Sequence, residues 1–197
     1  MAKHMKQNYR GCNVPGKKSI RILMSLLFII LLISAMSYAD ELPPLTHKLT
    51  AVNKTVQAPD LRLYNMDEEI IDIKDLKGKV VVINFWATWC PPCRREMGSL
   101  ERLYQAVKDK NVEVLAVNIG EDLDTVFSFM GTVEPSPEFQ IVFDPDAVSM
   151  NNWKVRGLPT TYIISPDGTI AYSAIGGREF DHPDIQKKII NLSRQLK

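Results

Sequence analysis

The sequence predicts an α/β domain, a mixed β-sheet with helices on both faces. Three observations carry this. Residues 80–85 and 112–119 are short apolar runs rich in β-branched residues, the composition of strands buried on both faces. Stretches with apolar residues at helical spacing lie between and after them. Two further β-rich runs, at 160–164 and 169–174, flank Ser165-Pro-Asp-Gly168, a hairpin turn. Alternation of strand and helix gives parallel strands in the middle, and the closing hairpin adds antiparallel ones. A chain of 197 residues, 45% hydrophobic and 24% charged, suits one domain with a real core.

The elements follow in order. Residues 40–55, with Pro43-Pro44, read as a linker ahead of a domain over 56–197. Runs at 61–64 and 70–73 predict an N-terminal β-hairpin, and 75–78 a turn. After the 80–85 strand, Pro91 and Pro92 fit only the first turn of a helix, where a missing N–H costs nothing. Met97, Leu100, Leu103, Tyr104 and Val107 form the buried stripe of that helix. The 112–119 strand precedes a short helix over 123–130 capped by Asp122 or a nearby acid. Residues 139–143 read as a strand ended by Asp144-Pro145, with a short helix to about Asn152. After the closing hairpin, Asp181 or His182 caps a last helix with Pro183 at its start and Ile185, Ile189 and Leu192 buried.

Charge is unevenly placed. Residues 1–39 hold six basic residues and no acidic one, so the remainder carries 18 basic against 23 acidic residues. A mildly acidic body gives no electrostatic reason to expect nucleic acid as a partner. The basic start, the apolar run at 22–33 and the small residues ending at Ala39 read as a signal peptide cleaved before Asp40. The competing reading is an uncleaved anchor over 22–39, whose 18 residues stand at the lower edge of a membrane span. Under both, the basic side stays inside and the body is exported. Cys12 precedes the apolar run, so the exported part holds two cysteines, Cys90 and Cys93. A pair this close cannot staple distant parts of a fold, and so reads as redox-active or metal-binding.

The motif Phe85-Trp-Ala-Thr-Trp-Cys-Pro-Pro-Cys-Arg94 runs from a buried strand into the start of a helix. Free N–H groups and the positive end of the helix dipole favour a thiolate at Cys90, the species that attacks disulfides. Cys93 at i+3 lies on the same side of the first turn and can resolve the mixed disulfide. A zinc site needs a second pair of ligands, and His47 and His182 stand far apart in the sequence. A c-type haem needs a histidine where Arg94 stands. An inert structural disulfide remains an alternative that does not explain the prolines or the flanking tryptophans.

Trp89-Cys-Pro-Pro-Cys93 together with Gly157-Leu-Pro-Thr160 resembles the thioredoxin family. Asn84-Phe-Trp-Ala-Thr-Trp, Arg94-Arg-Glu-Met97, Val155-Arg-Gly-Leu-Pro-Thr-Thr-Tyr162 and Gly177-Arg-Glu-Phe-Asp181 resemble its exported TlpA/ResA-like branch. The resemblance covers roughly residues 56–197. It implies a thioredoxin fold with an insertion after the second core strand, and a redox disulfide Cys90–Cys93 with no further cofactor or metal. It implies that Pro159 is cis and faces the cysteines, with Trp89, Pro91, Pro92, Leu158 and Thr160 completing the substrate surface. Thioredoxin proper has an aspartate where Asn84 stands, whereas this branch places a glutamate three residues after the second cysteine. Glu96 is that residue, read either as the base that takes the proton of Cys93 or as a solvated helix-face carboxylate. Trp86 reads as core and Trp89 as partly exposed.

The expected activity is disulfide reduction in an exported protein, which resemblance identifies with apocytochrome c or an assembly factor for a respiratory metal centre. A membrane thiol donor would re-reduce the pair. The alternative is a copper carrier using the same two thiolates, which lacks a third ligand near the motif. A peroxidase of the peroxiredoxin group needs a threonine where Ala87 stands.

Overall fold

The computed structural model describes residues 44–194 together with Arg21. The expected leader over 1–39, Cys12 and the first residues of the expected linker lie outside the described residues. Eight strands form one sheet: β1 Thr50–Ala51, β2 Arg62–Asn65, β3 Ile70–Asp72, β4 Val80–Trp86, β5 Val112–Ile119, β6 Gln140–Asp144, β7 Thr160–Ile164 and β8 Ile170–Ile175. Their spatial order is β1-β8-β7-β4-β5-β6-β2-β3. β4, β5 and β6 run parallel, and every other pairing is antiparallel. The helices are α1 Pro91–Val107, α2 Leu123–Met130, α3 Val148–Asn152 and α4 Pro183–Ser193, with a 3-10 turn at Ile73–Leu76. No helix among the described residues is long and apolar enough to cross a membrane.

All seven residues of β4 are buried, because the strand has a packed layer on each face. Period-2 alternation splits it cleanly. Val80, Val82 and Trp86 join Met97, Leu100 and Leu103 of α1 and Ile185 and Ile189 of α4. Val81, Ile83 and Phe85 join Leu115, Val117 and Trp153 on the opposite face. The long helices α1 and α4 cover the first face, whereas α3 and the 3-10 turn cover the second. Asn84 shares the α1 face with its even-numbered neighbours. That register places a polar side chain beneath the helix carrying the cysteines.

Part of the stretch expected to be a linker is laid onto the sheet. Thr50 and Ala51 pair with β8, and the backbone N–H of Val52 donates to Ala171 O at 2.9 Å. The physical reason is apolar: Leu49 and Val52 pack against the two core clusters, one on each. The sequence pattern gives a weak signal for a two-residue edge strand.

Gly98 marks a close approach. A glycine inside a helix costs ~1 kcal/mol relative to alanine. Here a Cβ would stand 2.6 Å from the backbone oxygen of Glu134, in the loop that follows α2. Overpacking of this kind costs ~1–3 kcal/mol and overrides the gain in helix propensity. Gly98→Ala should therefore lower stability by ~1–2 kcal/mol in denaturant unfolding. An unchanged or raised midpoint would show that the loop gives way freely.

Candidate functional site

β4 ends at Trp86, and the chain turns through Ala87, Thr88 and Trp89 into α1. Cys90 is the N-cap of α1, with no side-chain cap bond, and the two prolines occupy its first positions. Its carbonyl accepts the first helical bond, from the N–H of Arg94 at 3.1 Å. Cys90 and Cys93 are joined as a disulfide. Cys90 retains 3% of its surface and Cys93 none, so Cys90 is the sulfur nearer to solvent. Trp89 beside it is 67% exposed, while Trp86 is fully buried. Arg94 does not simply point outward: its guanidinium lies 5.2 Å from the ring centroid of Phe129.

The turn before Cys90 is held by a residue that sequence reading passed over. Glu121 accepts from the backbone N–H of Thr88 at 2.8 Å and from Asn118 Nδ2 at 2.7 Å, and the Thr88 hydroxyl also donates to it. Glu121 lies just past the C-terminal end of β5, beside the end of β4. Functional groups in parallel sheets gather at those strand ends, which is the signal that could have found it.

Glu96 is fully buried, so the solvated-carboxylate reading fails. Its Oε1 accepts from Asn84 Nδ2 at 2.8 Å and its Oε2 from the backbone N–H of Arg178 at 2.8 Å. Asn84 Nδ2 also donates to Thr161 Oγ1 at 2.9 Å, while Asn84 Oδ1 has no partner. Burial pushes the Glu96 carboxyl up to about 8, against the opposing pull of the Asn84 and Arg178 hydrogen bonds and the Arg178 charge. A carboxyl pushed up to about 8, three residues along the helix from a thiol whose ordinary value is about 8.5, is matched in acidity for proton exchange with it. Asn84, expected to be a mere loss of the thioredoxin carboxylate, is one of the groups that hold the replacement.

The Leu158–Pro159 peptide bond is cis. Pro159 and Thr160 are buried and Leu158 is half-buried. The Pro159 carbonyl accepts from the N–H of Gly176 at 2.8 Å, and the Thr160 hydroxyl donates to Gly157 O at 2.7 Å. Gly176 leads into Gly177, where a Cβ would meet Pro92 O at 3.3 Å and Leu45 Cδ2 at 2.5 Å. The motif 177–181 is thereby brought to the start of α1. Pro91 is exposed and Pro92 half-buried at this junction.

His47 and His182, far apart in the sequence and set aside there as a ligand pair, are brought together by the fold, stacked ring on ring with centroids 3.8 Å apart. The arm before β1 runs alongside the 176–179 segment, which sequence separation could not reveal.

The sequence pattern of the AhpC/TSA family matches residues 55–173. The chain is 32% identical over 160 residues to the thiol-disulfide oxidoreductase ResA of Bacillus subtilis (strain 168), covering 81% of this chain and 88% of that protein. It is 36% identical over 154 residues to ResA of Geobacillus thermodenitrificans, covering 78% and 87%. Among solved structures, a thiol:disulfide interchange protein of the DsbE kind from Chlorobium tepidum superposes with a TM-score of 0.65 at 28% identity, over 73% of this chain and 99% of its own. A thioredoxin-family thiol:disulfide interchange protein from Chlorobium tepidum TLS gives 0.60 at 25% identity, over 71% and 99%. With a cysteine pair at the start of a helix in this fold, the chain belongs to the AhpC/TSA family and, within it, to the ResA-like thiol–disulfide oxidoreductases.

Proposed function

We propose that the protein reduces disulfides of an exported partner protein, with Cys90 as nucleophile, Cys93 as resolving thiol and Glu96 as the base for Cys93. The observation that supports this best is the buried Glu96, three residues after Cys93 on α1 and held by Asn84 and the Arg178 N–H. Substrate would lie against Trp89, Pro91, Pro92, Leu158, Pro159 and Thr160. Because the Pro159 carbonyl is taken by Gly176, an extended segment would pair with the backbone on the Leu158 side. The basic leader and the lone cysteine pair of the body support an exported setting, with residues 22–39 as signal peptide or membrane tether. The partner class is an apocytochrome c or an assembly factor for a respiratory metal centre, and a membrane thiol donor restores the dithiol.

The direction of transfer follows from the chemistry around Cys90. A strongly stabilised thiolate makes an oxidant, as in DsbA near −120 mV, and a weakly stabilised one a reductant, as in thioredoxin near −270 mV. Pro91 and Pro92 offer no N–H to the Cys90 sulfur. No histidine stands between the cysteines, and the Arg94 guanidinium lies over the Phe129 ring. The thiolate is therefore modestly stabilised, and the potential should lie below about −180 mV. Equilibration of the full chain against glutathione buffers measures it. A value near −120 mV would make the protein an oxidant and overturn the direction proposed.

A further inference from the structure

The sequence contains three histidines, and two of them meet at one point of the surface. His47 lies on the arm before β1, and His182 is the N-cap of α4. Their rings are parallel within 9°. Asp184 Oδ2 stands 3.9 Å from His47 Nε2 and 3.8 Å from His182 Nδ1, so one nitrogen of each imidazole lies near the same carboxylate oxygen. One ligand atom from each of the three residues lies within 4.8 Å of the other two. We propose that His47, His182 and Asp184 bind a divalent transition-metal ion of the zinc class, at a site separate from the cysteine pair, and that the ion fastens the N-terminal arm to the start of α4.

The donor set selects the class of ion. Two imidazoles and one carboxylate suit zinc and its first-row neighbours, whereas calcium and magnesium demand more oxygen ligands. Bonds of about 2.0–2.1 Å in a tetrahedral shell place ligand atoms about 3.3 Å apart. The two N···O separations need to close by about half an ångström to reach that, and because an imidazole lone pair lies in its ring plane, the stacked rings must turn out of parallel so that both planes meet at the ion. Three protein ligands leave a fourth position for water. His182 Nδ1 also accepts the backbone N–H of Asp184 at 3.2 Å, so the ion competes with the helix cap for that lone pair. The freed N–H lies at a partly exposed helix start, where water can take it.

The two chain segments are already held in register without a metal. Thr46 N–H donates to Gly177 O at 3.4 Å, Glu179 N–H to Thr46 O at 2.8 Å, and Arg178 Nε to Lys48 O at 2.7 Å. Little ordering remains to be done on binding. The clip would also steady the segment whose Arg178 N–H donates to Glu96.

The test uses the full chain carrying Cys12→Ser with its disulfide closed, so that no thiol can take the metal. After chelator treatment, Zn2+ is titrated by calorimetry and Co2+ by absorption. The expected result is one saturable equivalent, a Co2+ spectrum without thiolate charge-transfer bands, and a rise in Tm on saturation. His47→Ala and His182→Asn should each weaken binding by about tenfold or more, the order by which the loss of a supporting group alone lowers affinity. Asparagine at 182 keeps the helix cap, so that variant remains folded. No saturable binding by the wild type, or undiminished binding in either variant, overturns the site.

Discussion

Cys93→Ser should accumulate a covalent mixed disulfide with a protein substrate such as insulin, while Cys90→Ser should form none and lose all turnover. The asymmetry comes from how α1 begins. Cys90 is the N-cap, its sulfur at the positive end of the helix and next to the exposed Trp89. Cys93 sits inside the first turn with no exposed surface, so a bulky disulfide cannot reach it until the mixed disulfide brings its partner close. The difference in exposure supports the proposed order, attack at Cys90 followed by resolution at Cys93. Non-reducing electrophoresis and mass analysis of the trapped species read the outcome. If iodoacetamide near neutral pH alkylated Cys93 of the reduced protein before Cys90, the order would be reversed.

Much of this site is written locally in the chain. The strand–turn–helix passage from Val80 to Val107 combines a continuous apolar run, two prolines that only a first helical turn tolerates, and a stripe at helical spacing. Those signals are short-range, and the structure follows them within a residue or two. His182 and Pro183 mark the start of α4 by the same cap-then-proline logic, and Ile185, Ile189 and Leu192 are its buried face. What the sequence could not show depends on contacts between distant segments. Glu96 looks like any polar residue of an amphipathic helix. Its burial arises because β4 turns Asn84 toward α1 while the 176–179 segment closes over the same spot. Glu121 and Asn118 act on Thr88 across neighbouring strand ends, where no local periodicity registers the link. The His47–His182 stack requires knowing that the arm returns to α4, and the pattern of 40–55 reads only as linker. Short-range grammar thus locates the cysteine pair, and tertiary closure supplies the buried polar groups around it.

Glu96→Gln tests that tuning through two independent pH dependences. The Glu96 carboxyl titrates at about 8 in the folded protein against an ordinary 4.5, because it is buried. The folded state thus holds a proton that the unfolded chain has released across that interval. Stability contributed by the group is complete below pH 4.5, falls as pH rises, and is lost once pH passes about 8. The slope is at most ~1.4 kcal/mol per pH unit. Glutamine cannot ionise, so the variant should lack this decline, overtake the wild type as pH rises from 4.5 towards 8, and keep a constant lead above that. At lower pH the two should be close, since the Asn84 amide can turn its unpartnered Oδ1 toward the N–H of the substituted amide, as toward the protonated acid. Catalysis should also diverge with rising pH, but with the wild type ahead. With the base present, resolution by Cys93 accelerates as Glu96 ionises toward pH 8. Without it, resolution should be slower by about 10²-fold there, the low end of general-base contributions, and should converge on the wild type near pH 6. Stopped-flow decay of the mixed disulfide across pH 6–9, run beside thermal unfolding of both proteins, reads each effect separately. Identical rate profiles with divergent stability curves would make Glu96 a buried acid with no part in proton transfer, and identical curves in both would refute its raised titration as well.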